Sequence, residues 1–208
     1  MSCIHTSFLG VAQVAPNQID DYIRSVNPDA PALGQIYVNM GRKFQLRADL
    51  AAAQMIHETG FLRFGGQVRP EQHNPAGLKG FDGRFLSFPG WYEGIHAHYE
   101  RLQCYVRPED ITGEGGLYDP TYGHWRYWRL KEKWDDPSQL VAVASLWSTG
   151  DPYGYANAVC KYLTGILVVP PAAPPGRAAG PAPVLLILAL LGGMGYGVYR
   201  LIRHLLGR

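Results

Sequence analysis

Glu58 is the residue in this sequence whose type and position best suit chemistry. It closes the segment Leu50–Glu58, which is apolar on nearly every face of a helix, and a helix of that kind is normally buried. Burial raises the pKa of a carboxyl group, so that it can hold a proton near neutral pH. A protonated carboxyl is what a general acid for cleavage of a glycosidic bond requires. We therefore predict that Glu58 lies on the floor of a dry cleft; the alternative is a surface residue or half of an ion pair.

Several motifs include or flank Glu58 in a fixed order. They are Ser25–Pro28, the helix end Glu58-Thr59-Gly60-Phe61, the loop Asn74-Pro75-Ala76-Gly77, the helix Gly94–Leu102, and Trp147–Ala156. Together they resemble the glucosaminidase domains of bacterial and phage cell-wall hydrolases, which are similar to glycoside hydrolase family 73 in the lysozyme-like superfamily. The resemblance covers about residues 8–165.

The resemblance implies a fold, an activity and a set of site residues. The fold would be mainly α, a lysozyme-like α-rich domain with a short loop or hairpin lobe, and it would cut peptidoglycan glycan strands. Glu58 would be the general acid, and Asn74, Gly77 and Tyr155 would bind substrate by shaping or lining the cleft. From the residues alone, Asn74 could equally cap its turn, and Tyr155 could equally be a core aromatic. Trp147 is predicted to pack in the core rather than to contact sugar.

A second catalytic carboxylate is harder to assign. Many members of the family carry one in a longer lobe, whereas here the interval 79–88 is short and Asp82 is its only acid. Asp82-Gly83 is also a common hairpin-turn pair, and a turn role is the preferred interpretation. Glu71 is the other nearby acid, interpreted as a surface charge. A base that holds water and the N-acetyl group of the substrate both stay open as the second group.

The elements that must position these residues are mainly helical. Residues 65–89 and 113–126 are rich in turn formers and are predicted as loops, the first with a short hairpin. Asn17 is a candidate N-cap for the first helix. The predicted helices are 17–26, 31–44, 46–58, 91–105, 137–147 and 153–167.

The composition narrows the function classes. The chain has 208 residues, 47% hydrophobic and 17% charged, with a net charge of +2; it predicts one globular domain plus an extra segment. That charge gives no support to nucleic-acid binding. The residues Cys3, Cys104 and Cys160 show no metal-like or paired spacing, and their odd number excludes a full disulfide framework. We expect no metal and no cofactor.

The C-terminal part has the pattern of a membrane anchor. We predict a catalytic domain over 1–167, a Pro/Ala-rich linker over 168–183 and a transmembrane helix with a basic end over 184–208. With Ala182 and Pro183, the uncharged run up to residue 199 has about 18 residues and would span about 27 Å as a helix. Residues 184–199 are predicted to lie in the lipid bilayer. The basic residues that follow it predict a domain on the outer, wall-facing side. Gly193 and Gly197 form a small-xxx-small pair, which allows a homo-oligomer.

These patterns predict a membrane-anchored peptidoglycan hydrolase of the endo-β-N-acetylglucosaminidase type. No signal peptide is recognisable near Met1, and this domain order suggests a phage protein that acts in lysis or is mounted on a virion membrane with other virion components. Two alternatives are a non-catalytic peptidoglycan-binding or assembly protein that keeps the fold, and a lytic transglycosylase.

Overall fold

A computed structural model describes residues 3–111, 115–123 and 133–172. Within these ranges the chain is mainly helical, with six α-helices and no strand, consistent with a lysozyme-like α-rich fold. Residues Met1–Ala172 form one compact unit. The helices are α1 (Pro16–Arg24), α2 (Gly34–Phe44), α3 (Ala48–Thr59), α4 (Trp91–Val106), α5 (Leu140–Trp147) and α6 (Pro152–Val168), with short 3-10 turns at Cys3–His5, Pro70–Gln72 and Pro108–Asp110.

Helix α3 is the centre of the fold. Every residue from Ala48 to Ile56 is buried, and α3 packs against α2 and most extensively against α6. Buried Asp49 is compensated by the guanidinium of Arg47, whose Nη2 lies 2.6 Å from Asp49 Oδ2. The helix ends at Thr59, and the next residue, Gly60, caps it in the left-handed conformation that glycine tolerates best. The apolar run therefore becomes a core helix, as its sequence predicts.

The N-terminal end of α1 differs from the prediction. Ala15 is the N-cap and Pro16 occupies the first helical position, where its missing N–H costs nothing. The side chain of Asn17, expected to cap the helix, instead donates to the carbonyl of Pro170 at 3.3 Å and accepts from the N–H of Ala172 at 3.0 Å. Asn17 thus joins α1 to the segment that follows α6.

The loop between α3 and α4 contains the expected short hairpin. Lys79 and Phe85 form an isolated antiparallel bridge, and Leu86 N–H donates to the carbonyl of Leu78 at 2.9 Å. Gly83 turns the chain with a φ of 76°. This hairpin lies directly after the Asn74–Gly77 loop.

The cysteines are paired differently from the sequence expectation. Cys3 and Cys160 form a disulfide across a sequence separation of 157 residues, with their Cα atoms 5.9 Å apart. Cys104 is free and buried, in line with the odd count. The expectation of no paired spacing was wrong, because residues distant in the chain meet when α6 packs beside the N-terminal segment.

The C-terminal predictions fall largely outside the described residues. Of the described helices, none is long and apolar enough to cross a membrane, and residues 173–208, with the predicted transmembrane helix, lie beyond them. Helix α6 continues to Val168. Residues 168–172, assigned to the linker from the sequence, belong to the compact unit.

Candidate active site

Glu58 lies in the last turn of α3, where the helix leaves the core. The residues around it, Ile56 and Thr59, are buried, whereas Glu58 is exposed. The expectation of a dry cleft floor was therefore wrong in part, since one side of the carboxylate faces open space. Its other side contacts α5 and α6. Desolvation by those neighbours raises the pKa of Glu58 above the ordinary carboxyl range.

Tyr155 on α6 is the hydrogen-bond partner of this carboxylate. Its hydroxyl donates to Glu58 Oε1 at 2.5 Å. The pKa of Tyr155 is held well above its usual value, mainly by burial and to a smaller extent by the neighbouring charge of Glu58. The hydroxyl therefore keeps its proton and stays a donor. The side chain of Trp147, at the end of α5, also stabilises the charged form of Glu58, so that Tyr155 and Trp147 both oppose the rise in the pKa of Glu58.

A cavity of about 160 Å³ opens beside Glu58. Gly77 lies against the carboxylate: a Cβ at this position would stand 3.7 Å from Glu58 Oε2. Because Tyr155 binds Oε1, Oε2 is the oxygen turned toward Gly77. The remaining lining is the loop Phe64–Val68 and the ring of Phe85 from the hairpin.

The loop that forms one wall starts with an unusual backbone. Phe61 and Leu62 both have positive φ, of 62° and 60°, a conformation that costs non-glycine residues free energy. Asn27 holds this turn by donating its side-chain N–H to the carbonyl of Phe61 at 2.9 Å. Thr59 Oγ1 accepts from the N–H of Leu62 at 2.9 Å. These two side chains fix the direction in which the chain leaves Glu58.

Asn74 is completely buried. Its amide group donates to the carbonyls of Leu78 and Leu86 at 2.9 and 3.0 Å, and its Oδ1 accepts from the N–H of Leu78 at 2.8 Å. Asn74 thereby ties the loop that carries Gly77 to the hairpin. A direct contact with a ligand is not open to it in this arrangement, so any effect on binding comes through the shape of the loop.

The two candidates for a second carboxylate lie away from this cavity's lining. Asp82 is exposed at the hairpin tip, where it accepts from the N–H of Arg84 at 3.0 Å and pairs with the Arg84 guanidinium at 3.2 Å. Among the described residues that line the Glu58 cavity, Glu58 is the sole acid. Glu71 lines a separate, wider cavity.

That wider cavity adjoins the first through a shared residue. It measures about 560 Å³, and Phe64 lines both. Trp91 forms its aromatic wall, with the ring of His73 edge-on at 5.1 Å between centroids, and Asp29 and Glu71 supply charge. The two cavities together give the molecule a concave surface along the loop after α3.

The sequence prediction gave no role beside Glu58 to three residues. Gln54 donates from Nε2 to the Tyr155 hydroxyl at 3.1 Å, and Asn27 holds the turn after Glu58. Trp147 packs against the core, as predicted, and also stabilises the charged form of Glu58. The signal for Gln54 was a polar residue within an otherwise apolar run, because a buried amide needs partners. In the parts of the chain described, no group of three or more His, Cys, Asp or Glu is arranged to hold a metal ion.

The fold, and a desolvated acid that borders a cavity, are those of a glycosidase domain. The model of the Glucosaminidase family, described as mannosyl-glycoprotein endo-beta-N-acetylglucosaminidase, matches residues 34–164, more than half of the chain. The chain belongs to this family. It is also 31% identical over 115 residues to an uncharacterized protein of Borreliella burgdorferi strain B31, covering 50% of this chain and 55% of that protein. The chain thus spans about half the length of that relative. No solved structure matches.

Proposed function

We propose that this protein is a membrane-anchored peptidoglycan hydrolase that cuts β-1,4 linkages of the glycan strand as an endo-β-N-acetylglucosaminidase, with Glu58 as its general acid. The family membership supports glycosidase chemistry. The observation that carries the choice of Glu58 is its position: a desolvated carboxyl that borders a cavity and is held on one oxygen by Tyr155.

The geometry supports different roles for the two carboxylate oxygens of Glu58. Oε1 is occupied by the donor Tyr155, so the exchangeable proton would be carried by Oε2, on the side of Gly77. Oε2 would pass this proton to the glycosidic oxygen as the bond to the anomeric carbon breaks. Gly77 leaves room for the sugar at this point because it has no side chain.

The second step is proposed to use the acetamido group of the substrate. Of the described residues lining the Glu58 cavity, none besides Glu58 is acidic, which argues against a protein carboxylate as the nucleophile. The N-acetyl carbonyl oxygen could attack the anomeric carbon, and water would then open the resulting ring. Asp82 and Glu71 are expected to be dispensable in this scheme.

Digestion of purified peptidoglycan by the full-length protein in detergent tests the proposal. New reducing ends at N-acetylglucosamine are expected, and Glu58→Gln should lower the rate by at least about 100-fold. Glu71→Gln is the matched control and should retain activity. Equal activity of Glu58→Gln and wild type would overturn the role of Glu58, whereas a large loss in Glu71→Gln would identify a second catalytic group.

The two other functions predict different results in the same digestion. A non-catalytic wall-binding protein is favoured by Glu58 being the sole acid among the described residues that line its cavity. Such a protein would bind peptidoglycan without releasing fragments, both as wild type and as Glu58→Gln. A lytic transglycosylase also needs one acid, but its products end in anhydromuramic acid. Mass spectrometry of the released fragments separates all three.

The location at a membrane with the domain facing the wall rests on the hydropathy of residues 184–199 and the basic residues behind them. The Cys3–Cys160 disulfide supports an oxidising surrounding for the domain, since cytosolic proteins rarely keep such bonds. Protease accessibility of the domain in intact cells or particles tests the orientation. Its detection in the membrane of purified virions would support the phage version, and its absence there would remove it.

A further inference from the structure

A line of hydrogen bonds runs from the core of the protein to Glu58. Beyond Tyr155 and Gln54, His98 Nε2 lies 3.1 Å from Gln54 Oε1, and the hydroxyl of Tyr37 lies 3.4 Å from His98 Nδ1. Gln54, His98 and Tyr37 are completely buried. The line therefore crosses from α2 through α4 and α3 inside the core and reaches the surface only at Tyr155 on α6.

The direction of every bond in this line follows from the groups that form it. A carboxylate only accepts, so Tyr155 donates to Glu58, and the hydroxyl oxygen of Tyr155 is then free to accept from the Gln54 amide. The carbonyl oxygen of Gln54 must accept, so His98 carries its proton on Nε2. The Nδ1 atom of a neutral His98 is left as the acceptor for the Tyr37 hydroxyl.

The surroundings of His98 keep this arrangement in one protonation state. Burial, and then the nearby positive charge of Arg101, lower the pKa of His98 to about 3. His98 is consequently neutral over the range in which Glu58 titrates. Titratable or charged groups packed around the line are His57 and Glu58 from α3, Tyr99, Arg101 and Tyr105 from α4, and Tyr155 from α6.

We propose that Tyr37, His98 and Gln54 form a positioning relay that fixes the hydroxyl of Tyr155 as a donor to Glu58 and so adjusts the acidity of that carboxyl from within the core. All donors in the relay point toward Glu58, which stabilises its charged form and opposes the effect of desolvation. The relay also holds Oε1 in place and leaves Oε2 for the substrate. The catalytic part of this proposal rests on the proposed function of Glu58, but its electrostatic part does not.

The first test measures the titration of Glu58 in the unliganded full-length protein by carboxyl ¹³C NMR, with Glu58→Gln assigning the signal. Gln54→Met removes both contacts of the amide at similar size, and the midpoint for Glu58 should move upward by at least about half a pH unit. His57 adjoins Tyr155, and its titration is followed in parallel from its imidazole signals. An unchanged midpoint in a folded Gln54→Met protein would overturn the relay.

Two matched pairs separate the relay from a purely structural role. His98→Gln keeps an N–H donor near the position of Nε2 and should leave the midpoint unchanged, whereas His98→Leu should raise it. Tyr37→Phe and Tyr99→Phe each remove one buried hydroxyl. The Tyr99 hydroxyl donates to the backbone carbonyl of Tyr37 at 3.0 Å and is outside the relay, so only Tyr37→Phe should raise the midpoint. The proposal would be refuted if the midpoint of Glu58 shifted in proportion to each variant's loss of thermal stability, without the difference expected within each pair.

Activity gives an independent readout. In Gln54→Met, kcat on peptidoglycan should fall about tenfold with KM unchanged, and the alkaline limb of kcat/KM should move upward with the NMR midpoint. If the wild type is inactive while the midpoint still moves, the proposed function fails and the relay stands. If the wild type is active while neither limb nor midpoint moves, the relay fails alone.

Discussion

The hydroxyl of Tyr155 donates to Glu58 Oε1 at 2.5 Å, across 97 residues of sequence. The bond joins the last turn of α3 to the first turn of α6, the helix that packs most extensively on α3. It orients the carboxylate and leaves Oε2 on the cavity side. The site thus depends on the packing of two helices as much as on the acid itself.

Removal of the Tyr155 hydroxyl tests this bond directly. Tyr155→Phe withdraws a donor that stabilises the charged form of Glu58, so the pKa of Glu58 should rise further and kcat should fall about tenfold. The lost hydrogen bonds should cost about 1 kcal/mol of unfolding free energy. A pH profile of kcat/KM and a denaturant titration measure both effects.

Tyr162→Phe is the control for that substitution. Tyr162 is on the same helix and its ring also lies near His57, with centroids 6.0 Å apart. It should keep the wild-type pH profile. A similar loss of activity in both variants would point to a general disturbance of α6 instead of the bond to Glu58.

A side chain at position 77 should lower activity, whereas a side chain at position 83 should not. Both have positive φ, 61° and 76°, so alanine at either costs about 1 kcal/mol of stability. The Cβ at position 77 would contact Glu58 Oε2, while the Cβ at 83 meets nothing within 4 Å. We expect Gly77→Ala to lower kcat/KM by at least about tenfold and Gly83→Ala to leave it unchanged, in assays on soluble glycan fragments. Equal activities would show that the space beside Oε2 is not used.

The raised pKa of Glu58 also predicts a pH-dependent effect on stability. Below the unfolded-state pKa both states are protonated; between that value and the raised folded pKa, the folded state binds more protons, so its stability falls as pH rises. Glu58→Gln removes this penalty. The Tm of Glu58→Gln relative to wild type should therefore be higher at pH 7 than at pH 4, as calorimetry can measure. A difference that is the same at both values would mean that desolvation of the carboxylate is negligible.

His98 should make the domain sensitive to acid. Its pKa of about 3 in the folded state lies below the ordinary histidine value of 6.5, so the unfolded state takes up a proton first as the pH falls below 6.5. The free energy of unfolding is expected to decline from there toward pH 3. At pH 4 the loss should amount to about 3 kcal/mol. Urea titrations of wild type and His98→Gln measure this, and the variant should show a shallower decline. Burial lowers the pKa of His57 as well, and that residue acts in the same direction in both proteins.

The disulfide is expected to stabilise the domain rather than to take part in the reaction. Cys3 and Cys160 join the N-terminal segment to α6, the helix that carries Tyr155. Replacing both by Ser should lower the free energy of unfolding by about 2–5 kcal/mol, with activity retained at low temperature. Cys104→Ser, which changes the free and buried thiol, is the comparison. Loss of activity without loss of stability in the double variant would contradict this assignment.

Much of the helical framework could be predicted from local sequence. The apolar run of α3, the turn-forming Asp82-Gly83 pair and the terminating Gly60 each act on their immediate neighbours, so their effects are visible as spacing and residue type. The same run singled out Glu58, because an acid at the end of a core helix is unusual. The family motifs added Tyr155 and Gly77 as candidates near it.

The partners of Glu58 and its exposure were decided by tertiary structure. Gln54, His98 and Tyr37 lie on three helices, and no local pattern states that their side chains meet in line behind Tyr155. The Cys3–Cys160 bond likewise joins segments 157 residues apart. Helical periodicity states which face of an element is apolar, but the contacts between faces depend on how all the helices pack together. For that reason the acid could be identified from the sequence, while the hydrogen bonds that adjust it emerged only from the folded chain.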